Sequence, residues 1–431
     1  MSRVWSTQGV EMRVYDTSGA LVFGAPEVAP EPLPPITPPT GPARNVASWC
    51  NGINLGKSVT NRDSTTVATS HVLAVDVVDP VFEWVQTGGF VAQDNGAAFT
   101  VTASVNGGSP VPVTVGGAPA WRLEKPSGLR VVTSDPVKVQ ARAGDTLAVT
   151  VTADADGTSG SIPSSFTGAV QGRDAGPIFG GWALRPSRVV APSDVPAWVA
   201  VGDSICQQDN SFPQRALGLR GLPFTVGAQG GDAYIYHAGT LGDRQAAHLT
   251  HASRVLDEMG TNDAGHTGTT HETDRENARK TWLQYRAKGV DVLVKTMITP
   301  APSTSNGWAD LDGQSVDNVY STGRIPYNAW LRDGAPLTAD KTAALPAGTT
   351  DAGAIRCDVI QADGSIKKGT GGHPVTAISD CVRAVEEGET GKYNAAARDA
   401  MKGWGDGLHP SPGVHAILGE RLARDLEILG F

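Results

Sequence analysis

Four short blocks in the C-terminal half of this chain carry residue types suited to acyl transfer. They are Val201-Gly202-Asp203-Ser204-Ile205, Val226-Gly227-Ala228-Gln229-Gly230-Gly231-Asp232, Met259-Gly260-Thr261-Asn262-Asp263 and Gly405-Asp406-Gly407-Leu408-His409-Pro410. A serine hydroxyl is a weak nucleophile until a base takes its proton. The base must be held in one tautomer by a carboxylate. Donors must wait where the carbonyl oxygen becomes negative. Ser204 offers the hydroxyl. Asp406 and His409 are three apart, so one turn of chain can carry both and set the carboxylate behind the imidazole. Gly231 lets a backbone N–H approach an oxyanion closely. Asn262 brings an uncharged side-chain NH₂ that can donate to it.

These groups need a scaffold that brings them together. Ala197 to Val201 is a strand-length apolar run that ends at Gly202-Asp203-Ser204. Val290 to Ile298 is another, ending at Thr299-Pro300. Arg275 to Lys288 reads as an amphipathic helix with Ala278, Trp282 and Tyr285 on one face. Pro412 to Leu429 reads as a helix with proline near its start and Val414, Leu418, Leu422, Leu426 and Leu429 in one stripe. Strand–helix alternation of this kind predicts an α/β domain with a parallel sheet. Each block ends a predicted strand or precedes a helix, so all can converge at one sheet edge.

In this order the blocks resemble those of the SGNH hydrolases, the GDSL-type esterase and lipase superfamily, named for Ser, Gly, Asn and His. The matching residues are Gly202-Asp203-Ser204-Ile205, Gly231, Gly260-Thr261-Asn262-Asp263 and Asp406-Gly407-Leu408-His409. Asn328-Ala329-Trp330-Leu331-Arg332 also resembles a helix that this family carries between its third and fourth blocks. The resemblance covers residues 195–431. It implies a three-layer α/β/α fold of flavodoxin-like type. It implies Ser204 as nucleophile, His409 as base and then acid, and Asp406 as its orienting partner. The oxyanion would be held by the backbone N–H groups of Ser204 and Gly231 and by the Asn262 side chain. No metal or organic cofactor is implied. Two departures stand out: Ile205 replaces the usual leucine, and Gly227 and Gly230 are close rivals of Gly231. The Gly-x-Ser-x-Gly elbow of the α/β-hydrolases is absent, because position 206 is cysteine. For Cys206 the expectation is a small thiol packed beneath the Ser204 turn, with a nucleophilic role as the alternative.

Other residues are weaker candidates. His237, His248, His251, His266, His271 and His373 lie outside the blocks. No Cys or Glu stands at ligand spacing beside them, so solvated loop residues are expected rather than a metal site. His266 and His271 follow Asn262 and are candidates to line the substrate entrance. Between Thr299 and Met401, Trp308, Tyr320 and Tyr327 sit in a long stretch that would shape a pocket rim. Trp308 is the candidate there for stacking on a sugar ring, and covering the sheet is the alternative. Four cysteines form no CxxC pair. Cys357 and Cys381 could pair, but free buried thiols are the expectation.

The N-terminal half reads differently. Residues 1–25 suggest a short β-hairpin arm that must dock on something to be stable. Residues 26–43 hold eight prolines, which favours an extended spacer over a signalling ligand. From 44 to 192 the alternation is that of an all-β sandwich or jelly roll. Phe99, Val101, Ala103 and Val105 face one way, Asn106-Gly107 turns, and Val111, Val113 and Val115 follow. Its aromatics Trp84, Phe90, Trp121 and Trp182 are expected in the core rather than on a sugar platform. Residues 193–431 are the catalytic domain.

Composition excludes several classes. A net charge of −9 with no basic run excludes a nucleic-acid partner. No stretch approaches a membrane span. The first residues lack the apolar core of a signal peptide, which points to the cytoplasm or to a virion component released by lysis. The glycine content, 52 of 431 residues, fits many turns. A β-sandwich before a hydrolase domain points to an acylated polysaccharide and removal of its O-acetyl groups, an argument from domain arrangement. The arm and spacer point to docking on a larger assembly, such as a virion tail or spike. Two alternatives are a glycan-binding adhesion protein with little or no catalysis, and a short-chain lipid esterase or lipase.

Overall fold

The computed structural model describes residues 36–53, 65–86, 97–123, 130–155, 186–208, 210–265, 270–404 and 406–431. The 1–25 arm, most of the proline-rich spacer, Phe90, Trp182 and His266 lie outside the described residues. Residues 38–431 form one compact unit.

The first part of that unit is antiparallel. One sheet joins Ala47–Ile53, Thr65–Leu73, Thr146–Ala155, Ala97–Val105, Val111–Val113 and Ala120–Leu123. A second joins Ala43–Asn45, Arg188–Pro192, Val81–Gln86 and Arg130–Thr133. The Asn106-Gly107 turn closes with the Gly108 N–H donating to the Val105 carbonyl at 2.8 Å. One apolar cluster draws on both sheets. Trp84 of the second meets Trp121 of the first with ring centroids 5.1 Å apart, and Phe99 stacks on Trp121 at 5.2 Å. Trp84 and Trp121 are thus core residues.

The second part is built on a seven-stranded sheet. In chain order its strands are β1 (Trp198–Val201), β2 (Phe224–Val226), β3 (Arg254–Asp257), β4 (Val292–Thr296), β5 (Asp358–Ile360), β6 (Ile366–Lys367) and β7 (Ala377–Ser379). Their spatial order is β2-β1-β3-β4-β7-β5-β6, all parallel except β6. The β2-β1-β3-β4 run is the flavodoxin-like order, in which ligands bind outside the carboxyl ends of β1 and β3, where the winding reverses. Central strands of a parallel sheet are covered on both faces and read as apolar runs. β1 is accordingly buried at all four positions.

The helices that matter to the site are α1 (Ser204–Gln207), α2 (Thr261–Gly265), α3 (His271–Ala287), α4 (Val319–Arg332) and α5 (Pro412–Ile428). α3 buries Ala278, Trp282 and Tyr285, and Trp282 stacks flat on Trp330 of α4 at 5.5 Å. α5 starts at Ser411, whose hydroxyl accepts the Val414 N–H, followed at once by Pro412. That cap contributes about 1 kcal/mol, and the proline has no N–H left unpaired there.

The two parts are joined by buried polar contacts. Arg188 pairs with Glu83 at 2.5 Å and donates to the Ala247 carbonyl at 2.6 Å. The Asn45 side chain donates to the Phe224 carbonyl at 2.7 Å. Among the described residues no helix is long and apolar enough to cross a membrane.

Candidate active site

Ser204 opens α1 directly after β1. Asp203 caps the helix, its carboxylate accepting the Ile205 N–H at 2.9 Å. Gly202 is required sterically. A Cβ there would fall 2.3 Å from Cys206 Cβ and 2.5 Å from a Glu258 oxygen. The turn therefore lies flat on the residues beneath it and presents Ser204 outward.

Asp406 and His409 arrive on the loop before α5. His409 Nε2 is 2.8 Å from Ser204 Oγ, and its Nδ1 is 3.0 Å from Asp406 Oδ2. The other Asp406 oxygen accepts the His409 backbone N–H at 2.7 Å. One carboxylate thus fixes both the ring and the main chain of His409. Burial pushes the Asp406 carboxyl up, but the hydrogen bonds from His409 outweigh it and hold it below the ordinary carboxylate value. The loop is seated by Gly407. A Cβ on it would stand 1.6 Å from the Pro302 carbonyl oxygen and 3.1 Å from the Trp308 ring.

The donor side is equally specific. Gly227 N–H is engaged by the Ala200 carbonyl at 2.8 Å, and Gly230 N–H by the Gln207 side-chain oxygen. The Gly231 N–H meets no acceptor among the described residues, so of the three rivals only Gly231 has a free donor. Ser204 N–H, at the first position of α1, has no intrahelical partner. Asn262 Nδ2 donates to the Asp232 carbonyl at 2.9 Å, which leaves its second N–H for another acceptor. Asp263 accepts the Tyr234 N–H at 2.9 Å and the Ile235 N–H at 3.3 Å. The second and third blocks are therefore stitched to each other. Burial raises the Asp263 carboxyl to about 7.

The structure thus brings Ser204, His409, Asp406, Gly231 and Asn262 to the carboxyl edge of β1 and β3. It does not bring all the expected rim residues with them. Trp308 is 1% exposed, and its indole donates to the Trp404 carbonyl at 3.3 Å. It packs beside Gly407 of the Asp406–His409 loop and offers no free face, which corrects the expectation of a sugar-stacking ring. His271 is exposed at the first position of α3. The histidines expected in solvated loops are a second correction. His237, His248 and His373 are buried. Their rings meet Asp232 at 2.7 Å, Thr225 at 3.3 Å and the Ala335 carbonyl at 2.8 Å, respectively. Burial lowers His373 to about 4. Among the described residues no group of three or more His, Cys, Asp or Glu could hold a metal ion. Cys206 is fully buried beneath the Ser204 turn, and burial, with Glu258 and Asp203 beside it, pushes its thiol up. Cys357 and Cys381 are free and buried.

Two residues went unnoticed in the sequence. Trp404, two positions before Asp406, donates its indole N–H to the His409 carbonyl at 2.8 Å and is 39% exposed. Its closeness to the fourth block was the available signal. His415 lies in the first turns of α5. Its Nδ1 accepts the Phe212 N–H at 3.1 Å and its Nε2 meets the Gln208 side-chain oxygen at 2.9 Å. Nothing in its spacing distinguishes it from a surface histidine.

No family model matches the sequence, and no curated protein matches it. Solved structures similar to the chain include a family two carbohydrate esterase from Clostridium thermocellum in complex with cellohexaose, at 12% identity, 90% of this chain, 99% of that chain and a TM-score of 0.33. Another is a carbohydrate esterase family 2 enzyme plus carbohydrate-binding domain from Corynascus thermopiles (Myceliophthora fergusii), at 13% identity, 90% and 100% coverage and a TM-score of 0.34. A third is a GDSL-like lipase from Bacteroides thetaiotaomicron, at 11% identity, 54% and 87% coverage and a TM-score of 0.32. Likenesses of that size carry no part of the functional reading below.

Proposed function

We propose that this chain is a serine ester hydrolase of the SGNH kind, with Ser204, His409 and Asp406 as its catalytic triad. The observation that carries the reading is the unbroken relay from Ser204 Oγ through the His409 ring to Asp406, at 2.8 and 3.0 Å. Ser204 Oγ attacks the ester carbonyl as His409 Nε2 takes its proton. Asp406 orients the ring and stabilises the imidazolium that forms. The oxyanion is received by the N–H groups of Ser204 and Gly231 and the free N–H of Asn262. His409 then returns the proton to the leaving alcohol. A water, deprotonated by the same nitrogen, releases the acid and regenerates Ser204.

The substrate we propose is an O-acetylated carbohydrate. The triad is open, with the Asp406 and His409 side chains 52% and 30% exposed. An open triad suits a small acyl group on a bulky polymer better than a long acyl chain, which needs an apolar tunnel. Trp404 adds an exposed ring beside the base. The antiparallel part, held to the catalytic part through Arg188 and Asn45, supports a carrier of bulky substrate. The arm and spacer belong to the same proposal, as a tether to an assembly such as a virion tail or spike.

The test is turnover of p-nitrophenyl acetate, which Ser204→Ala should abolish while leaving the fold intact. Comparison with the decanoate ester separates short from long acyl preference, and acetate release from acetylated glycans tests the substrate class. Equal turnover by wild type and Ser204→Ala would sink the reading. Removal of residues 1–42 should leave turnover unchanged.

A further inference from the structure

Beneath the nucleophile turn lies a group of ionisable side chains that acyl transfer does not use. Asp203, Asp257, Glu258 and Lys295 are all 0% exposed. Lys295 Nζ donates to the Met259 carbonyl at 2.5 Å and the Asp257 carbonyl at 3.3 Å, and stands 3.9 Å from Asp257 Oδ1. Asp257 also accepts from Tyr234 Oη at 2.7 Å, Trp282 Nε1 at 2.9 Å and Met259 N at 3.0 Å. Three donors and the nearby Lys295 ammonium thus face its carboxyl. Asp203 Oδ1 takes the Ile205 N–H at 2.9 Å, and its Oδ2 is buried with no donor.

Glu258 is the more poorly served of the two, because its single bond is longer. Its Oε2 receives one long bond, from the Asp203 N–H at 3.4 Å, and its Oε1 is buried with no donor. Two other buried glutamates, Glu83 and Glu386, each face an arginine, at 2.5 and 3.0 Å. A buried carboxylate with neither a cation nor strong donors loses its charge. The groups around the pair favour this. Cys206 on α1 and Asp257 on β3 are acidic neighbours, and Lys295 on β4 already serves Asp257. Asp232 and His409 face Asp203 from the loops above. Burial, and then Asp203, push the Glu258 carboxyl well up.

We propose that Glu258 stands beneath the nucleophile as a neutral carboxylic acid. It is a positioning residue that holds the Gly202-Asp203 backbone and adds no second negative charge under the oxyanion site. The catalytic half of this inference rests on the serine-hydrolase reading; the protonation state does not. Loss of the proton in alkali sets two like charges under the turn and lowers turnover.

Infrared difference spectra separate the two halves. Wild type isotope-labelled at the glutamate carboxyl should show, at neutral pH, a neutral-acid C=O band that moves with the label and vanishes in Glu258→Gln. Absence of such a band in wild type overturns the proposal, whether or not the protein has esterase activity and whether or not the variant folds. In turnover, Glu258→Ala should lose about tenfold to a hundredfold. Glu258→Gln, which keeps the acceptor and cannot ionise, should restore most of that loss and remove the alkaline fall of kcat/KM. An alkaline fall unchanged in Glu258→Gln overturns the catalytic half.

Discussion

The Asn262 side-chain nitrogen lies 2.9 Å from the main-chain carbonyl oxygen of Asp232. That bond ties the carboxamide to the loop that carries Gly231, so the two proposed oxyanion donors, from separate blocks, are linked directly. Asn262→Ala should therefore lower kcat by about 10² to 10³ with little change in KM. A large rise in KM with unchanged kcat would place Asn262 in ground-state binding instead.

Asp406→Asn should also impair chemistry, by presenting a donor where the ring needs an acceptor. The loss expected is about 10² to 10⁴ in kcat, toward the lower end because water can reach this half-exposed carboxylate. Steady-state kinetics of the purified variant settle the size.

Trp404 separates positioning from contact. Trp404→Phe removes the N–H that holds the His409 carbonyl and keeps a ring, so kcat should fall. Trp404→Ala removes both, so KM for a glycan ester should rise as well. Unchanged kcat in both variants would deny the bond any role.

His415 sets an acid limit on stability. Burial, aided by Arg215 and His409, lowers its imidazole to about 3, against an ordinary value near 6.5. As pH falls between these values the unfolded chain binds a proton that the folded chain refuses. Stability then declines, by up to about 1.4 kcal/mol per pH unit from this group. Urea midpoints across that range should fall less steeply in His415→Gln than in wild type. Parallel slopes would refute the assignment.

The Arg188–Glu83 pair, within the antiparallel part, holds the arginine that reaches across to the Ala247 carbonyl. Glu83→Ala leaves a buried guanidinium without its partner and should cost about 3 to 5 kcal/mol. Glu83→Leu with Arg188→Met should recover most of that, read as the thermal midpoint.

Much of the scaffold is legible locally. Val290 to Ile298 contains β4, Arg275 to Lys288 lies almost wholly within α3, and Pro412 to Leu429 is α5 with one residue trimmed. Apolar period, a serine cap and an early proline are signals carried by adjacent residues, so sequence reports them well. The four blocks are legible for the same reason, since each is a strand end or a turn whose residue types the local backbone demands.

The sequence by itself determined which residues could form the triad and that each block ends a strand or precedes a helix. Only the tertiary structure decided which glycine has a free N–H. Gly230 is engaged by Gln207, 23 residues away, and no spacing encodes that bond. The same holds for Trp308, buried against Trp404 from 96 residues away. It holds too for Glu258, left without a cation while Lys295 serves Asp257. Residue type and period fix what a side chain can do. Burial and hydrogen-bond partners decide what it does, and those are set by contacts between distant parts of the chain.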